Sequence, residues 1–371
     1  MKKFTCPYCY GVHDIRSCGL KCSYNIPNKD DKCVTDVIKD NEGWIPEMDK
    51  MRCMKCQSAR KSFYCKVIDK EIPNDFLDGE NLSIALLGAK ASGKSNYIGV
   101  LVNEIRKKMT LAFNCTLSLS ASEESKEFYD EHYYKPLYKG GFLVDATKAD
   151  YDVPPLIFPL RFLDKNNRIK QVAALSFYDT AGENLDSTED MLIYNRYIPN
   201  ANGIILLLDP LQVPAIRSKL EGKIKLPSEN TDITTILSRI IQNIRDVKNV
   251  KGIIKTPIAL AFTKIDALEE FDILREDSCL RNESEHLKRG VFVQTDFESV
   301  NIEMQDLLEN WLDGEILQQL KNFKNYALFG LTSLGGVPNG EKLSKSINPR
   351  RVLDPLLWVL AENKYIQKAK K

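Results

Sequence analysis

The chain has 371 residues, 52 basic and 51 acidic side chains, and a formal net charge of +1. Hydrophobic residues make up 43% and charged residues 28%, which is ordinary for a globular protein. The charge balance gives no reason to expect nucleic acid or an anionic membrane as partner. The longest apolar run, residues 204–208, is too short to cross a bilayer, and no signal peptide follows the first lysines. A cytoplasmic location is therefore expected.

The N-terminal part is rich in cysteine. Eight of the ten cysteines lie in the first 65 residues: Cys6, Cys9, Cys18, Cys22, Cys33, Cys53, Cys56 and Cys65. Because a cytosolic chain keeps its thiols reduced, this clustering favours metal over disulfides. We therefore interpret residues 1–70 as a zinc module with one or two ions, and the alternative, a redox C-x-x-C pair, lacks a thioredoxin-like context.

Two C-x-x-C pairs predict how the cysteines divide. Cys6 and Cys9, with Cys53 and Cys56, supply the four thiolates of a tetrahedral structural zinc site. The second predicted set is Cys18, Cys22, Cys33 and Cys65, with His13 as a spare ligand. Basic residues near the second pair leave nucleic acid open as a partner, although compensation of thiolate charge explains them better.

From residue 80 onward, strand patterns alternate with helix patterns. The predicted strands are 81–88, 113–120, 156–163, 169–178, 203–208, 257–262 and 327–331, and the predicted helices are 94–109, 123–138, 232–247, 300–320 and 353–362. This alternation predicts an α/β domain over residues 80–371, with a mostly parallel sheet and helices on both faces. The polar turn 164–167 predicts a hairpin and thus one antiparallel edge. Residues 69–75 are predicted to be a linker, 210–230 an irregular loop, and 110–140 and 267–298 insertions.

The strongest motif is a phosphate-binding loop at residues 88–95, GAKASGKS, which matches G-x-x-x-x-G-K-[ST] between a strand and a helix. Backbone N–H groups and the helix N-terminus surround the phosphates in such a loop. Lys94 is expected to reach the outer phosphates, and the Ser95 hydroxyl to ligate Mg²⁺. The residues expected around the phosphates are Gly88, Ala91, Ser92, Gly93, Lys94, Ser95 and Asn96.

A second motif, residues 177–183 (FYDTAGE), ends an apolar strand. Asp179 is placed to hold Mg²⁺, and the Gly182 N–H can turn toward a γ-phosphate. Because only the triphosphate offers that contact, the segment predicts a nucleotide-dependent switch.

Two further segments predict that the base is guanine. Asp266, in residues 263–266 (TKID), can accept two hydrogen bonds from guanine N1–H and the exocyclic amine, a donor pair that adenine lacks. Thr263 begins this loop, and the Lys264 stem can pack along the purine. Ser333 and Leu334 follow the last strand and can offer backbone donors to the guanine carbonyl oxygen.

These four segments, in this order, resemble the motif set of Ras-like, TRAFAC-class P-loop GTPases over residues 80–362. The resemblance implies GTP, GDP and Mg²⁺ as ligands, and assigns roles to Lys94, Ser95, Asp179, Gly182, Lys264, Asp266, Ser333 and Leu334. The tail 347–358, INPRRVLDPLLW, resembles bacterial predicted GTPases of the double-GTPase type found in conflict-system operons.

Three positions depart from the Ras-like pattern. Glu183 stands where the family has a water-orienting glutamine, and a carboxylate repels a γ-phosphate unless it is paired or protonated. Lys90 stands at a position that is glycine in the family, so it either blocks an arginine finger supplied in trans or supplies a positive charge in cis. Thr147 is the candidate switch threonine for Mg²⁺, or an ordinary loop threonine. The candidate catalytic residues are Lys94, Asp179, Gly182, Glu183 and Lys90.

The leading functional prediction is a Mg²⁺-dependent, GTP-hydrolysing switch whose zinc module docks a protein partner. Hydrolysis can be slow or need an activating protein, and a nucleotide-dependent dimer stays open. The first alternative is a GTP-binding interaction module that hydrolyses little, which Glu183 and Lys90 motivate. The second is a P-loop ATPase or nucleotide kinase, against which residues 263–266 argue.

Overall fold

The computed structural model describes residues 3–22, 24–25, 32–33, 61–77, 81–88, 92–118, 123–145, 156–177, 197–224, 226–227, 232–312 and 314–369. Short strands build the N-terminal module: β1 (Lys3–Thr5), β2 (Val12–Asp14), β3 (Gly19–Cys22), β4 (Tyr24–Asn25), β5 (Lys32–Cys33), β6 (Lys61–Cys65) and β7 (Lys70–Ile72). β1 and β2 form one antiparallel hairpin, β4 pairs with β5, and β3, β6 and β7 form an antiparallel sheet.

The predicted linker at residues 69–75 is wrong, because this segment completes the module. β7 pairs with β6, and a 3₁₀ turn over Asn74–Phe76 follows it. Ile72 and Phe76 are buried in the module's own apolar cluster, which packs on Ile157 and Ala174 of the larger domain. The module therefore extends at least to residue 77 and lies against the main sheet.

The main sheet has seven strands: β8 (Asn81–Gly88), β9 (Cys115–Leu117), β10 (Leu156–Leu163), β11 (Ile169–Phe177), β12 (Gly203–Leu208), β13 (Ile258–Phe262) and β14 (Tyr326–Gly330). Their order is β14-β13-β12-β8-β11-β10-β9. The five strands from β14 to β11 are parallel, whereas β10 runs antiparallel to both of its neighbours. The predicted fold class, a mostly parallel sheet with an antiparallel edge region, is confirmed.

Burial on both faces explains the apolar central strands, since β12 and β13 consist of buried residues throughout. The hairpin between β10 and β11 follows from Asp164, whose carboxylate accepts the N–H groups of Asn166 and Arg168 at 2.7 and 2.9 Å. Asn167 completes the turn at φ +58°, a left-handed conformation that asparagine tolerates.

The helices are α1 (Lys94–Glu104), α2 (Glu123–Tyr129), α3 (Pro214–Leu220), α4 (Ile233–Lys248), α5 (Ile265–Glu270), α6 (His286–Arg289), α7 (Gln294–Trp311), α8 (Glu315–Leu320) and α9 (Asp354–Glu362). α1 continues through a π-helical stretch, Ile105–Met109, into Thr110–Ala112, and α2 continues through Asp130–Tyr134 and Pro136–Gly140. The helix predicted over 300–320 is two helices, because the chain turns at Gly314 (φ +73°). The loop predicted over 210–230 contains α3.

No helix within the described residues combines the length and the apolar character that crossing a membrane requires. The C-terminal edge of the parallel sheet is where ligands bind in folds of this architecture. Every motif of the predicted nucleotide site follows or ends a strand at that edge.

Candidate functional site

The phosphate-binding loop connects β8 to α1 and depends on two glycines. A Cβ on Gly88 would lie 2.6 Å from Ser92 Oγ and 3.1 Å from Lys94 Cβ, so glycine leaves room for the close approach of these side chains. Gly93 precedes α1 at φ +76°, a left-handed conformation that costs other residues about 1–2 kcal/mol. The Lys94 side chain is buried at the first residue of α1, where the helix contributes its positive end.

Thr263 joins the predicted base-binding loop to the phosphate-binding loop. Its hydroxyl donates to the Ser92 carbonyl oxygen at 2.8 Å, and its N–H donates to the Leu208 carbonyl oxygen at 2.9 Å. The threonine side chain is buried at the end of β13. The two loops are therefore in direct contact at the sheet edge.

Lys264 lies beside the same loop in a left-handed conformation (φ +55°). Its Cε is 3.9 Å from where a Cβ on Gly93 would stand. Its ammonium group pairs with Asp209 Oδ2 at 2.6 Å, and the Asp209 side chain is fully buried. The sequence analysis missed Asp209. This residue has the same signal as Asp179, because each is a carboxylate directly after an apolar strand.

Asp266 lies in the first turn of α5 and is linked to the loop after β14. Burial raises the pKa of its carboxyl group, while a hydrogen bond from Thr332 and the charges of Arg350 and Lys345 oppose that rise. The Thr332 hydroxyl also accepts the Gly335 N–H at 3.0 Å. Thr332 was also missed by the sequence analysis, which assigned only the two residues that follow it.

Ser333 and Leu334 lie in this loop, which the C-terminal tail covers. Ser333 is buried, and the Leu334 carbonyl oxygen accepts the Asn348 N–H at 2.9 Å. Gly335 has φ +82°, and a Cβ there would lie 2.4 Å from the Asn348 carbonyl oxygen. The backbone of Thr332 pairs with that of Arg350 through hydrogen bonds of 3.1 and 3.0 Å.

The tail is fixed by a buried charge cluster around Arg351. Its guanidinium group contacts Asp296 at 2.9 Å and Asp354 at 2.8 Å. Burial works to lower the pKa of Arg351, but these two carboxylates outweigh burial and raise it. Burial lowers the pKa of the neighbouring His286, whose Nδ1 accepts the Val293 N–H at 3.0 Å.

The same tail reaches the phosphate side of the site. Tyr97 in the first turn of α1 donates its hydroxyl to the Val352 carbonyl oxygen at 3.1 Å. The tail that covers the loop after β14 is therefore also bonded to the helix that begins at Lys94.

The first turn of α1 also contains Ser95, which is the predicted Mg²⁺ ligand, and Asn96, which contacts the chain near residue 144. Ser95 is half-buried there. The Asn96 side-chain oxygen accepts the Val144 N–H at 3.0 Å, so it holds the chain that leads toward residue 147. The Leu143 N–H in turn donates to the Glu341 carbonyl oxygen at 2.8 Å.

Several predicted residues lie outside the described residues. They are Lys90 and Ala91 of the phosphate-binding loop, Thr147, the switch residues Asp179, Gly182 and Glu183, and the second cysteine pair, Cys53 and Cys56. The side chain of Cys33 is also not described. The predictions made for these residues stay predictions.

The described cysteines group differently from the predicted sets. The ligand atoms of Cys6, Cys9, His13 and Cys65 lie within 4.8 Å of one another, whereas Cys65 was expected in the second set and His13 as a spare. The reason is the pairing of strands, because the β1–β2 hairpin brings His13 back to the first cysteine pair and β6 ends there at Cys65. A hydrogen bond with Cys6 lowers the pKa of the Cys9 thiol, against the effect of burial.

Comparison with known proteins gives matches over most of the chain. A model of the Double-GTPase 2 family matches residues 82–321. A protein of Mycolicibacterium smegmatis with the name "Putative ESX-1 scaffolding and assembly protein SaeC" is 26% identical over 313 residues, which cover 80% of this chain and 78% of that protein.

Three solved structures are similar at low identity. The GTP-bound GTPase-like domain of Ski7 from S. cerevisiae has a TM-score of 0.35 at 14% identity, with 77% of this chain and 51% of that chain covered. The GDP-bound Roco2 RocCORdC structure from Methanosarcina barkeri gives 0.25 at 14%, covering 67% and 43%. The G domain of the T. maritima FeoB iron transporter gives 0.24 at 11%, covering 68% and 87%. The chain thus spans about half the length of the first two, and likenesses at this level indicate nothing about function.

Proposed function

The chain belongs to the Double-GTPase 2 family, and on that premise we propose that it binds GTP and GDP with Mg²⁺, hydrolyses GTP and acts as a nucleotide-dependent switch. The observation that supports this best is the hydrogen bond of 2.8 Å from the Thr263 hydroxyl to the Ser92 carbonyl oxygen. It holds the loop with Asp266 against the loop that leads into Lys94. A purine bound at the first loop would therefore have its phosphates over the second.

In this proposal the base is recognised by the carboxylate of Asp266. Thr332 and the nearby cations Arg350 and Lys345 favour the charged form that guanine requires, although burial alone opposes it. Ionised Asp266 can accept from both guanine donors, whereas adenine would leave a buried acceptor unsatisfied, at a cost of about 1–3 kcal/mol. Lys264 is kept beside the site by its ion pair with buried Asp209.

On the phosphate side, Lys94 and the N-terminus of α1 supply the positive charge that a triphosphate needs. Ser95, Asp179 and Thr147 would hold Mg²⁺, which neutralises charge on the phosphates when it is bound. Gly182 would contact the γ-phosphate and report its loss. Lys90 and Glu183 are the proposed catalytic residues that set how fast hydrolysis is.

The cysteine-rich module is proposed to bind zinc and to dock a protein partner. The relative from M. smegmatis has scaffolding and assembly in its name, which supports protein partners for this chain as well. A cytoplasmic location belongs to the same proposal, because reduced thiols are needed for metal binding.

The test uses the purified full-length chain with GTP, GDP and ATP. Binding is followed by displacement of a fluorescent GDP analogue, and turnover by release of inorganic phosphate with and without Mg²⁺. Lys94→Ala is expected to weaken GTP binding at least about tenfold, since hydrogen bonds to charged groups contribute roughly 1.5–3 kcal/mol. Lys251→Ala, at an exposed lysine, is the matched control and should bind like the wild type.

Each outcome has a distinct meaning. Preference for ATP would end the guanine proposal. Tight GTP binding with no phosphate release would favour the interaction module, the reading that Glu183 and Lys90 support. Mg²⁺-dependent release from GTP alone would support the switch.

A further inference from the structure

Tyr197 lies where two strands of the nucleotide site diverge. Parallel strands β8 and β11 stay paired as far as Ala85 and Ser176. Beyond that point the Tyr197 hydroxyl accepts the Leu86 N–H at 2.9 Å and donates to the Ser176 carbonyl oxygen at 2.7 Å. β8 leads into the phosphate-binding loop two residues later, and β11 leads toward Asp179. The buried Tyr197 hydroxyl therefore connects the strand ends from which the two expected phosphate-contacting loops begin.

Among the described residues of the cysteine-rich module, Tyr10 touches this joint at Tyr197. The ring of Tyr10 meets the ring of Tyr197 edge-on, with 4.7 Å between centroids and 64° between planes. Tyr10 is 3% and Tyr197 1% exposed. Tyr10 belongs to the apolar core of the larger domain, although its neighbours in sequence belong to the module.

The backbone at Tyr10 is unfavourable for this residue type. Its φ is +55°, a left-handed conformation in which the Cβ of a non-glycine residue comes too close to the following carbonyl oxygen. Its N–H donates to the Cys6 carbonyl oxygen at 3.0 Å, which closes the turn that contains Cys6 and Cys9. Strain of this kind persists where the surroundings hold a residue in place, and here the residue links two domains.

The atoms around that turn suit a tetrahedral metal. Cys6, Cys9, His13 and Cys65 offer three sulfurs and one imidazole nitrogen within 4.8 Å of one another, and Cys9 Sγ lies 2.9 Å from His13 Nε2. Ligand atoms about 2.0–2.3 Å from a zinc ion are roughly 3.5–3.8 Å apart in a tetrahedron. The contact of 2.9 Å between Cys9 Sγ and His13 Nε2 would therefore have to open slightly to hold the ion. A Cβ on Gly11 would lie 3.1 Å from His13 Nε2, so glycine keeps the space beside the ligands open.

We propose that Cys6, Cys9, His13 and Cys65 form a closed zinc site, and that zinc binding holds Tyr10 against Tyr197 and so slows release of the nucleotide. The second clause rests on the proposed function, whereas the metal site does not. Four protein ligands leave no coordination position for substrate, so this zinc is structural.

Physical reasons connect the metal to the tyrosine. β1 and β2 have three residues each, too few to keep a strained turn in place unaided. Zinc would cross-link this hairpin to the end of β6 at Cys65, and its binding free energy would then stabilise the local fold. Where slower release raises the equilibrium affinity for nucleotide, linkage requires that bound nucleotide raise the affinity for zinc by the same factor.

The metal site is tested on the full-length chain by zinc content after purification. His13→Ala and Cys65→Ser should each lose about one zinc per chain relative to the wild type. Cys279→Ser removes a cysteine remote from the module and should keep the wild-type content. Zinc retained in both His13→Ala and Cys65→Ser would overturn the proposed ligand set, as would a loss confined to variants of Cys53 and Cys56.

The coupling is tested by the release rate of a fluorescent GDP analogue in excess Mg²⁺. Tyr10→Ala should keep its zinc and release GDP up to about tenfold faster, because an edge-to-face aromatic pair contributes roughly 0.5–1.5 kcal/mol beyond its buried area. Tyr10→Phe retains the ring and should behave like the wild type. If the alanine variant misfolds, the wild type treated with a zinc-selective chelator tests the same step, and faster release is expected there too.

The results separate the inference from the proposed function. Unchanged GDP release in Tyr10→Ala and in the chelated wild type would overturn the coupling while leaving guanine binding intact. Failure of the zinc-loaded wild type to bind GDP or GTP would overturn the proposed function and the coupling together. The metal site would still be decided by zinc content alone.

Discussion

Replacing Asp266 by asparagine changes the proposed base-reading group while keeping its shape. Asparagine retains one oxygen that can accept from Thr332 or from the base, but it puts an amide donor in place of the second carboxylate oxygen. Guanine presents two donors, so one of them would face the amide nitrogen of asparagine, which is itself a donor, and no hydrogen bond would form there. The lost hydrogen bond to a charged group is worth about 1.5–3 kcal/mol, which corresponds to roughly 10- to 150-fold weaker GTP binding.

The same change should favour a different base. Xanthine has a carbonyl where guanine has its exocyclic amine, so its N1–H and carbonyl complement the oxygen and nitrogen of asparagine. Competition of GTP and XTP against a fluorescent GDP or XDP analogue should show the ratio of the two affinities reversing in Asp266→Asn. The control is Asp277→Asn, at a carboxylate with an 80% exposed side chain, which should leave both affinities unchanged. GTP binding within threefold of the wild type in Asp266→Asn would refute the assignment.

The stability of the nucleotide-free variant gives an independent check. Burial raises the pKa of Asp266 above its ordinary value, so the folded chain holds this proton more tightly than the unfolded chain. Ionisation of Asp266 therefore lowers the free energy of unfolding as the pH rises from the ordinary aspartate range through the raised pKa. Asp266→Asn lacks this loss, so its melting temperature should exceed that of the wild type at pH 7, with the difference disappearing below about pH 4. A variant that melts earlier than the wild type at pH 7 would contradict this account.

Two further predictions concern the tail that covers the base side. Gly335→Ala should lower the free energy of unfolding by about 2–3 kcal/mol, because it adds a clash with the Asn348 carbonyl oxygen to an unfavourable φ of +82°. Gly222→Ala, at φ +76° but with open space around it, should cost only about 1 kcal/mol in the same urea titration, and equal losses would exclude the clash. Arg351→Met should cost about 3–5 kcal/mol because it removes the cationic partner of buried Asp354 and half-buried Asp296, whereas Arg275→Met, at an exposed pair, should cost under about 0.5 kcal/mol. Similar melting curves for the two arginine variants would show that the buried pairs contribute little.

Local patterns in the sequence predict the parts of this fold that local physics determines. An apolar run before a glycine-rich turn places β8 and the phosphate-binding loop, and the Asp164 turn places the β10–β11 hairpin. The helix predicted over 300–320 has the right period but is divided at Gly314, since period alone does not reveal a break of three residues.

Features that depend on distant partners could not be predicted in the same way. Ile72 stands between charged residues and a proline, so its segment resembles a linker, but it is buried because it pairs with Phe63 across β6 and β7. The grouping of Cys65 with the first cysteine pair likewise depends on where β6 ends relative to the first hairpin. A C-x-x-C spacing identifies two ligands of one metal and says nothing about which other residues complete it.

The two sides of the proposed nucleotide site are held in different ways. On the base side, Thr263 bonds to Ser92, Thr332 pairs with Arg350 of the tail, and the tail accepts a hydrogen bond from α1 at Val352, so this side is organised before a ligand arrives. Such preorganisation supports selectivity, because the site does not have to reorganise when a base binds.

On the phosphate side, the anchors come from outside the loops themselves. Asn96 holds the chain before residue 146, and Tyr197, backed by Tyr10 of the cysteine-rich module, holds the chain after residue 196. If the proposed partner docks on the cysteine-rich module, a fixed base side combined with the anchor at Tyr10 would let that partner change the phosphate side without changing which base is bound. Regulation and specificity would then depend on different residues, so variants of Tyr10 and of Asp266 should combine additively in their effects on nucleotide binding.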